Sequence, residues 1–231
     1  MSPTILNSPS PTAYGLNPNN LGSRLGSAYS FSIFCSGGNT VAGASSANWM
    51  VGGLTPFVTG TAIGSAEHYN DALAITVAAD VQTAFNYYTG LTPVGSIYLG
   101  STYVASSPLF DGDIAGLTFR PGIFYAAAAI TNSVVANFDA QGDVNAMFIL
   151  IIGAAFAPAA VSNVILLNGA QTANIVWCCT GALAVGAGGH MVGTVISPAA
   201  IGFGAGASLD GRALAFGAGA STLSATVVTT T

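Results

Sequence analysis

Two stretches near the C-terminus of this 231-residue chain repeat one pattern. "VGAGGHMVGTVIS" spans Val185–Ser197, and "FGAGASLDGRALA" spans Phe203–Ala215. When Val185 is aligned with Phe203, the Gly-Ala-Gly triplets coincide, Gly193 falls on Gly211, and apolar pairs follow both. Repeats of about 18–20 residues, with small residues between short apolar segments, are typical of a β-solenoid. Glycine accepts the backbone angles of tight corners, so the pattern predicts a triangular coil with an apolar interior.

The repeat extends toward the N-terminus. Asn145–Phe148, Asn174–Trp177 and Gly193–Ile196 resemble returns of one strand, and the first interval is longer than the second. The longer first interval predicts an insertion between the first two of these strands, which we call the excursion. The apolar stretch "NAMFILIIGAAFAPAAVSNVILLNGA" (residues 145–170) is predicted to form two buried strands joined by a turn. A transmembrane helix is disfavoured because Pro158 interrupts the stretch and no Lys or Arg flanks it.

The composition excludes several classes of partner. Only 5% of the residues are charged, the formal net charge is −5, and the chain has no lysine. Its three cations are Arg24, Arg120 and Arg212. Nucleic acids and anionic membranes require clustered basic side chains, so we expect neither as a partner.

One segment has a helical period. Apolar residues including Leu73, Val77 and Val81 recur every three or four positions, which predicts one long α-helix over about residues 66–89. Ser65 is the expected N-cap, and His68 is expected in the first helical turn. Such a helix must pack its apolar stripe along a flank of the predicted sheets.

The N-terminal residues differ from the rest of the chain. Residues 1–22 are rich in Pro, Asn and Ser, which predicts an extended arm, and residues 23–231 are expected to form one solenoid domain. The arm lacks the cationic and apolar regions of a secretory signal. Either a signal was removed and a start methionine added, or the chain never carried one.

Candidate reactive groups favour structural roles. Cys178 and Cys179 are expected to pack as small apolar residues of a strand. Asp111 and Asp113 are expected to form a polar turn, although a cation or hydrolytic site is an alternative. Arg212 is expected to pair with Asp210 or with a neighbouring turn. Since no nucleophile and base occur together, we expect no enzyme activity, no cofactor and no metal.

Several motifs together resemble the DUF3494 ice-binding protein family over roughly residues 21–228. In chain order they are "LGSAYSFSIF" (25–34), "AADVQTAFNYYTGLTP" (78–93), "GLTFRPGIF" (116–124), "DAQGDVNAMFI" (139–149), "NGAQTANIVW" (168–177) and "GASLDGRALA" (206–215). The resemblance implies a discontinuous right-handed β-solenoid with a long helix alongside. It also implies a secreted, non-enzymatic protein of cold-living microbes that adsorbs to ice and inhibits ice growth and recrystallisation.

The chain departs from the hydroxyl-rich corner pattern of strongly active relatives. Alanine and glycine replace most threonines there, which leaves a flat, weakly hydrated strip. The strip predicted to contact ice or a second copy of the chain consists of Thr131, Ser133, Ala187, His190, Ala205, Ser208, Ser224 and Thr226.

Two functions follow from these observations. The first is ice binding through one flat solenoid face. The alternative is an extracellular structural protein of the same fold that self-assembles through its apolar Ala/Gly-rich surface. A carbohydrate- or surface-binding module is a further, less favoured interpretation.

Overall fold

A computed structural model describes most of the chain. The described residues are 24–37, 39–42, 45–55, 66–95, 97–99, 102–105, 110–217, 221–224 and 227–229. The predicted N-terminal arm, residues 1–22, lies outside them and stays a prediction.

Short strands form most of the structure. In chain order they are β1 Phe31–Cys35, β2 Asn39–Ala42, β3 Ser46–Ala47, β4 Met50–Gly53, β5 Glu67–Tyr69, β6 Ile97–Leu99, β7 Thr102–Ala105, β8 Gly112–Asp113, β9 Leu117–Phe119, β10 Gly122–Ala126, β11 Ile130–Thr131, β12 Val135–Asp139, β13 Phe148–Ile152, β14 Asn163–Leu167, β15 Ile175–Cys179, β16 Leu183–Val185, β17 His190–Ser197, β18 Ile201–Phe203, β19 Ser208–Ala215, β20 Ser221–Ser224 and β21 Val227–Thr229. In the described ranges the long helix is α1 Ala72–Thr89, and two 3-10 turns span Gly26–Ser30 and Thr172–Asn174.

Apart from β6 and β7, which pair antiparallel next to β9, the strands stack in parallel to form the three faces of a solenoid. The covered face contains β10, β13, β15, β17, β19, β1, β4 and β5 in that order. The small-residue face contains β8, β11, Phe156, β16, β18, β20 and β2. The mixed face contains β9, β12, β14 and then the first residues of β17 and β19, followed by β21 and β3. The predicted β-solenoid is therefore confirmed.

Strands β17 and β19 each serve two faces because they bend in the middle. Ser208–Asp210 pair with β21 on the mixed face, whereas Ala213–Ala215 pair with β1 on the covered face. The bends lie at Gly193 and Gly211, whose φ angles of +100° and +150° suit glycine.

The register predicted from the C-terminal repeat holds along β17 and β19, where Gly193 pairs with Gly211. The two upstream alignments were wrong. Trp177, which the sequence aligned with Ile196, pairs with Val195. Phe148, which the sequence aligned with Trp177, pairs with Ile175. The excursion adds residues to the coil between β13 and β15. The sequence alignment did not locate the position of these extra residues correctly.

The solenoid is discontinuous in sequence. The first strand of the described chain, β1, pairs with the late strand β19, and Ile33 lies opposite Ala213. On the small-residue face β2 pairs with β20 in the same way, with Thr40 opposite Thr222. The N-terminal strands therefore form the coils that follow the C-terminal ones, as the family resemblance implied.

Aromatic rings fill the interior. Trp177 stacks on Phe156 at a centroid distance of 5.0 Å and meets Phe138 edge-on at 5.5 Å. Its indole Nε1–H donates to the carbonyl of Val192 over 2.8 Å, which satisfies the buried polar group. The apolar stretch of residues 145–170 supplies strands β13 and β14, as predicted, but only β13 is fully buried, because Ile165 and Leu167 of β14 are exposed. In the described part, no helix has both the length and the apolar character needed to span a bilayer.

Helix α1 packs along the covered face. Its buried stripe includes Val77, Val81 and Tyr88, and it shares a second apolar cluster with outward residues of the sheet.

The adjacent residues Cys178 and Cys179 are buried on opposite sides of strand β15. Cys178 faces the cluster under helix α1, whereas Cys179 belongs to the solenoid interior. Burial raises the pKa of both thiols, that of Cys179 to about 12, so both are protonated and inert at neutral pH.

The helix begins later than predicted. It starts at Ala72, and Asp71 is the N-cap, because its carboxylate accepts from the Ala74 N–H over 2.8 Å. That bond and a second one from His68 lower the pKa of Asp71. His68 belongs to strand β5 and not to the first helical turn, and Ser65 lies outside the described residues.

Arg212 does not pair with Asp210, the first of its predicted partners. The bend at Gly211 directs the two side chains to different faces. Buried Arg212 donates from Nε to the Tyr29 carbonyl over 2.9 Å, and its guanidinium lies 4.1 Å from the Tyr29 ring centroid. It thereby ties the N-terminal segment to β19, while burial lowers its pKa.

Candidate functional site

One row of small outward side chains runs along the small-residue face. We call it the small row; its members are Thr131, Ala157, Ala184, Gly202, Thr222 and Thr40. Each residue lies beside the next because the strands are in register: Ala184 pairs with Gly202, and Gly202 pairs with Thr222. Stacked strands are about 4.8 Å apart, so the row is regularly spaced.

Strand alternation makes the row flat. On either side of Ala184 and Gly202, large residues such as Leu183 and Phe203 point inward and are buried. The outward positions between them carry no side chain larger than threonine. The hydroxyl of Thr131 donates to the carbonyl of Ala157 over 2.6 Å, so that this threonine is fixed against the next coil.

The small row carries no ionisable side chain, and a carboxylate lies at its end. Asp113 pairs with Thr131, and its Oδ1 accepts from the backbone N–H groups of Ala115 and Ser133, each over 3.0 Å. Desolvation raises the pKa of Asp113, but the hydrogen bonds from Ser133 and Ala115 outweigh it and lower the pKa overall. The ionised carboxylate is therefore a turn-forming acceptor.

Asp111 has a similar backbone contact, because its Oδ1 accepts from the Ala128 N–H over 3.2 Å. The polar-turn interpretation of Asp111 and Asp113 agrees with these contacts. Within the described part of the chain, no three His, Cys, Asp or Glu side chains are grouped so that they would hold a metal ion.

The predicted strip is divided between two faces and the corner that joins them. Thr131 is in the small row. Ala187 and Ala205 are exposed at the corner after it, where the Gly188 N–H donates to the carbonyl of Ala205. His190 and Ser208 begin the mixed face, in register as predicted.

Two of the remaining members of the predicted strip, Ser133 and Ser224, lie at or just after the ends of strands. The exposed Ser133 lies two residues after Thr131, at the corner. Ser224 is the last residue of β20, and Thr226 lies outside the described residues. The structure therefore does not bring the described members of the strip together on one surface, and the placement of Thr226 stays a prediction.

The sequence reasoning missed Ala157, Ala184, Gly202, Thr222 and Thr40. A signal for them exists in the alternation of large and small residues in "LAV" (183–185) and "IGF" (201–203). The middle residue of each triplet must point outward if its neighbours fill the interior.

A polar cluster distinguishes the mixed face from the small-residue face. The Nδ1 atom of His190 lies 2.8 Å from the hydroxyl of Ser208, and its Nε2 lies 3.7 Å from a carboxylate oxygen of Asp210. The other carboxylate oxygen of Asp210 accepts from the Thr229 hydroxyl. Because these groups are partly exposed and ionisable, this face binds water more strongly than the small row.

Asn174 anchors the excursion that precedes β15. Its side chain is buried, and its Nδ2 donates to the carbonyl of Val144 over 3.0 Å. We expect Asn174→Ala to lower the free energy of unfolding by about 1–2 kcal/mol, because the carbonyl loses its donor. Chemical denaturation measures this loss. Exposed Asn145→Ala is the control, and an equal effect of both substitutions would contradict the anchoring role.

The chain matches one protein family over nearly its whole length. The family model described as Ice-binding-like matches residues 16–229. An ice-binding protein of Lentinula edodes is 34% identical over 122 residues, which are 52% of this chain and 38% of that protein. An ice-binding protein of Nostoc sp. (strain HG1) is 27% identical over 199 residues, covering 81% of this chain and 66% of that one. The chain thus spans less than two thirds of either relative.

Solved structures resemble the fold closely. An ice-binding protein of the Antarctic ascomycete Antarctomyces psychrotrophicus superposes with a TM-score of 0.79 at 27% identity, covering 89% of this chain and 96% of that one. An ice-binding protein from an Antarctic biological consortium gives 0.76 at 29% identity, with 89% and 90% covered. Together with the family match over residues 16–229, these similarities establish that the chain is a member of the Ice-binding-like, DUF3494-type family.

Proposed function

We propose that this protein adsorbs to ice through its small-residue face. The observation that carries the proposal is the small row, six uncharged outward positions in register on neighbouring coils. Membership of the Ice-binding-like family supports the same function.

The chemistry of the row suits adsorption to a crystal. Ice offers no pocket and no charge, so a protein holds it by many weak contacts made at the same time. A flat array of methyl groups and hydroxyls meets that requirement, whereas long or charged side chains retain their own water. The corner alanines Ala187 and Ala205 extend the flat area toward the mixed face.

The proposal is tested with tyrosine substitutions on two faces. Ala184→Tyr places a ring in the middle of the small row, and we expect it to abolish thermal hysteresis and ice shaping while the melting temperature changes little. Ile165→Tyr is the matched control on the mixed face, where Ile165 is exposed on β14, and it is expected to keep full activity.

Two further variants locate the boundary of the site. Ala205→Tyr alters the corner, and Ser208→Tyr alters the strip predicted from the sequence. Loss of hysteresis in Ser208→Tyr with full activity in Ala184→Tyr would assign ice binding to the mixed face. A wild-type protein without hysteresis would overturn the proposed function altogether.

Self-assembly is the alternative function. Val134 and Val161 are highly exposed beside the same corner, so they add apolar surface to the small side chains there. Sedimentation of the wild type in the hysteresis buffer separates the two functions. Large particles that Ala205→Tyr disperses, without any hysteresis, would favour assembly.

We also propose that the protein acts outside the cell and without catalysis. Contact with environmental ice requires export, and Asp111 and Asp113 are engaged in turns. Recovery of the protein from the medium of its source cells tests export. Retention inside washed cells would contradict it.

A further inference from the structure

The Asn168–Gly169 turn has the features of a modification site. It is the one Asn-Gly pair in the sequence, and it follows strand β14 with both residues exposed. Their φ angles are +49° and +88°, a left-handed conformation that asparagine and glycine tolerate. Within the described part of the chain, no group accepts a hydrogen bond from the Gly169 N–H.

The side chain of Asn168 joins two stacked turns. Its Nδ2 donates to Oδ1 of Asp139 over 2.8 Å, and the same oxygen accepts from the Gln141 N–H over 2.9 Å. The Asn168 carbonyl accepts from the Gly142 N–H over 2.8 Å. The carboxamide thus donates a hydrogen bond to a carboxylate across the two turns.

We propose that Asn168 is a site of spontaneous deamidation that releases this turn from Asp139. The backbone nitrogen of Gly169 attacks Cγ of Asn168 and loses its proton. A new C–N bond closes a succinimide ring, the bond between Cγ and Nδ2 breaks, and the nitrogen leaves with the proton as ammonia. Water then opens the ring to aspartate or isoaspartate. The reaction consumes one water and releases one ammonia.

Glycine favours the attack because it has no side chain to obstruct the ring closure. The unengaged N–H of Gly169 removes a second obstacle, since no backbone hydrogen bond has to break first. Exposure of both residues admits the water that opens the ring. Asparagine is one of the thermally labile residues for this reason.

Deamidation changes the attractive contact between residue 168 and Asp139 into a repulsive one. Residue 168 becomes a carboxylate, which donates no hydrogen bond and carries the same charge as Asp139. Repulsion between them separates the turn of residues 167–171 from the turn of residues 139–142. The backbone bonds from Ala140 to Leu167 and from Gly142 to Asn168 then open more often.

Ageing of the native protein tests the first step. After incubation at mildly alkaline pH, peptide mapping by mass spectrometry should show NH2 replaced by OH at Asn168, several times faster than at exposed Asn145, which alanine follows. An Asn168→Ser variant should lose this mass change. If native Asn168 stays intact while the urea-unfolded chain deamidates there, the fold protects the residue and the proposal is overturned.

An Asn168→Asp variant tests the second step. We expect faster hydrogen exchange at the amides of Ala140 and Gly142 than in the wild type, while Asn168→Ser, which adds no charge, has a smaller effect. Unchanged exchange in Asn168→Asp would show that the contact with Asp139 is dispensable. Ice binding does not enter either readout, because Asn168 lies away from the small row.

Discussion

Replacing Val81 with aspartate is expected to unfold the protein or to detach helix α1. Val81 is 0% exposed and belongs to the apolar cluster between the helix and the covered face. The residues of this cluster are apolar, so burying a carboxylate among them costs roughly 3–5 kcal/mol. Circular dichroism and thermal melting measure the loss.

Ile75→Asp is the matched control on the same helix. Ile75 is 58% exposed, so the new charge stays in water, and we expect a change within about 0.5 kcal/mol. A Val81→Asp protein that melts at the wild-type temperature would mean that the helix does not rely on its contact with the sheet.

Gly211→Ala is expected to have a comparable effect at the bend of β19. The φ angle of Gly211 is +150°, and an added Cβ would lie 1.9 Å from the carbonyl oxygen of Gly193 on the neighbouring coil. The oxygen belongs to the backbone, so the two coils have to separate. We expect a loss of about 3 kcal/mol or more in the free energy of unfolding.

Gly206→Ala separates two contributions to this loss of stability, the unfavourable φ angle and the steric clash with the neighbouring backbone. Gly206 also has a positive φ, +70°, but an added Cβ there meets nothing within 4 Å. We expect it to cost about 1 kcal/mol in chemical denaturation. Equal losses in the two variants would contradict the close approach of the coils at Gly211.

The sequence predicted the strand register correctly where two neighbouring coils contain the same number of residues. Strands β17 and β19 differ by no insertion, so their alignment gave the correct register. Between β13 and β15 an excursion adds residues, and no sequence feature marks where the pairing resumes. Because side chains alternate along a strand, even a one-residue error assigns the wrong face.

The helix and the candidate site show two further limits of prediction from the sequence. Strand β5 ends just before the helix, and its three residues fit a helical pattern as well as an extended one, so the start at Ala72 was missed. The predicted strip placed residues that are close in sequence on one face. In the structure the chain turns from the small-residue face to the mixed face between Ala187 and His190. A linear alignment identifies which residues are neighbours on adjacent coils, but it does not show where a coil changes direction.

The pairing of β1 with β19 has a consequence for how the chain folds as it is synthesised. Ile33 leaves the ribosome long before its partner Ala213, and at about 5–20 residues per second the interval is roughly 10–40 s. During that time β1 can pair with β4, but the edge of β1 that joins β19 has no partner. This edge of the N-terminal strands therefore stays open until β19 has been synthesised and docks against it. Chains cut before β19 should accumulate as aggregates, although most of their coils are complete.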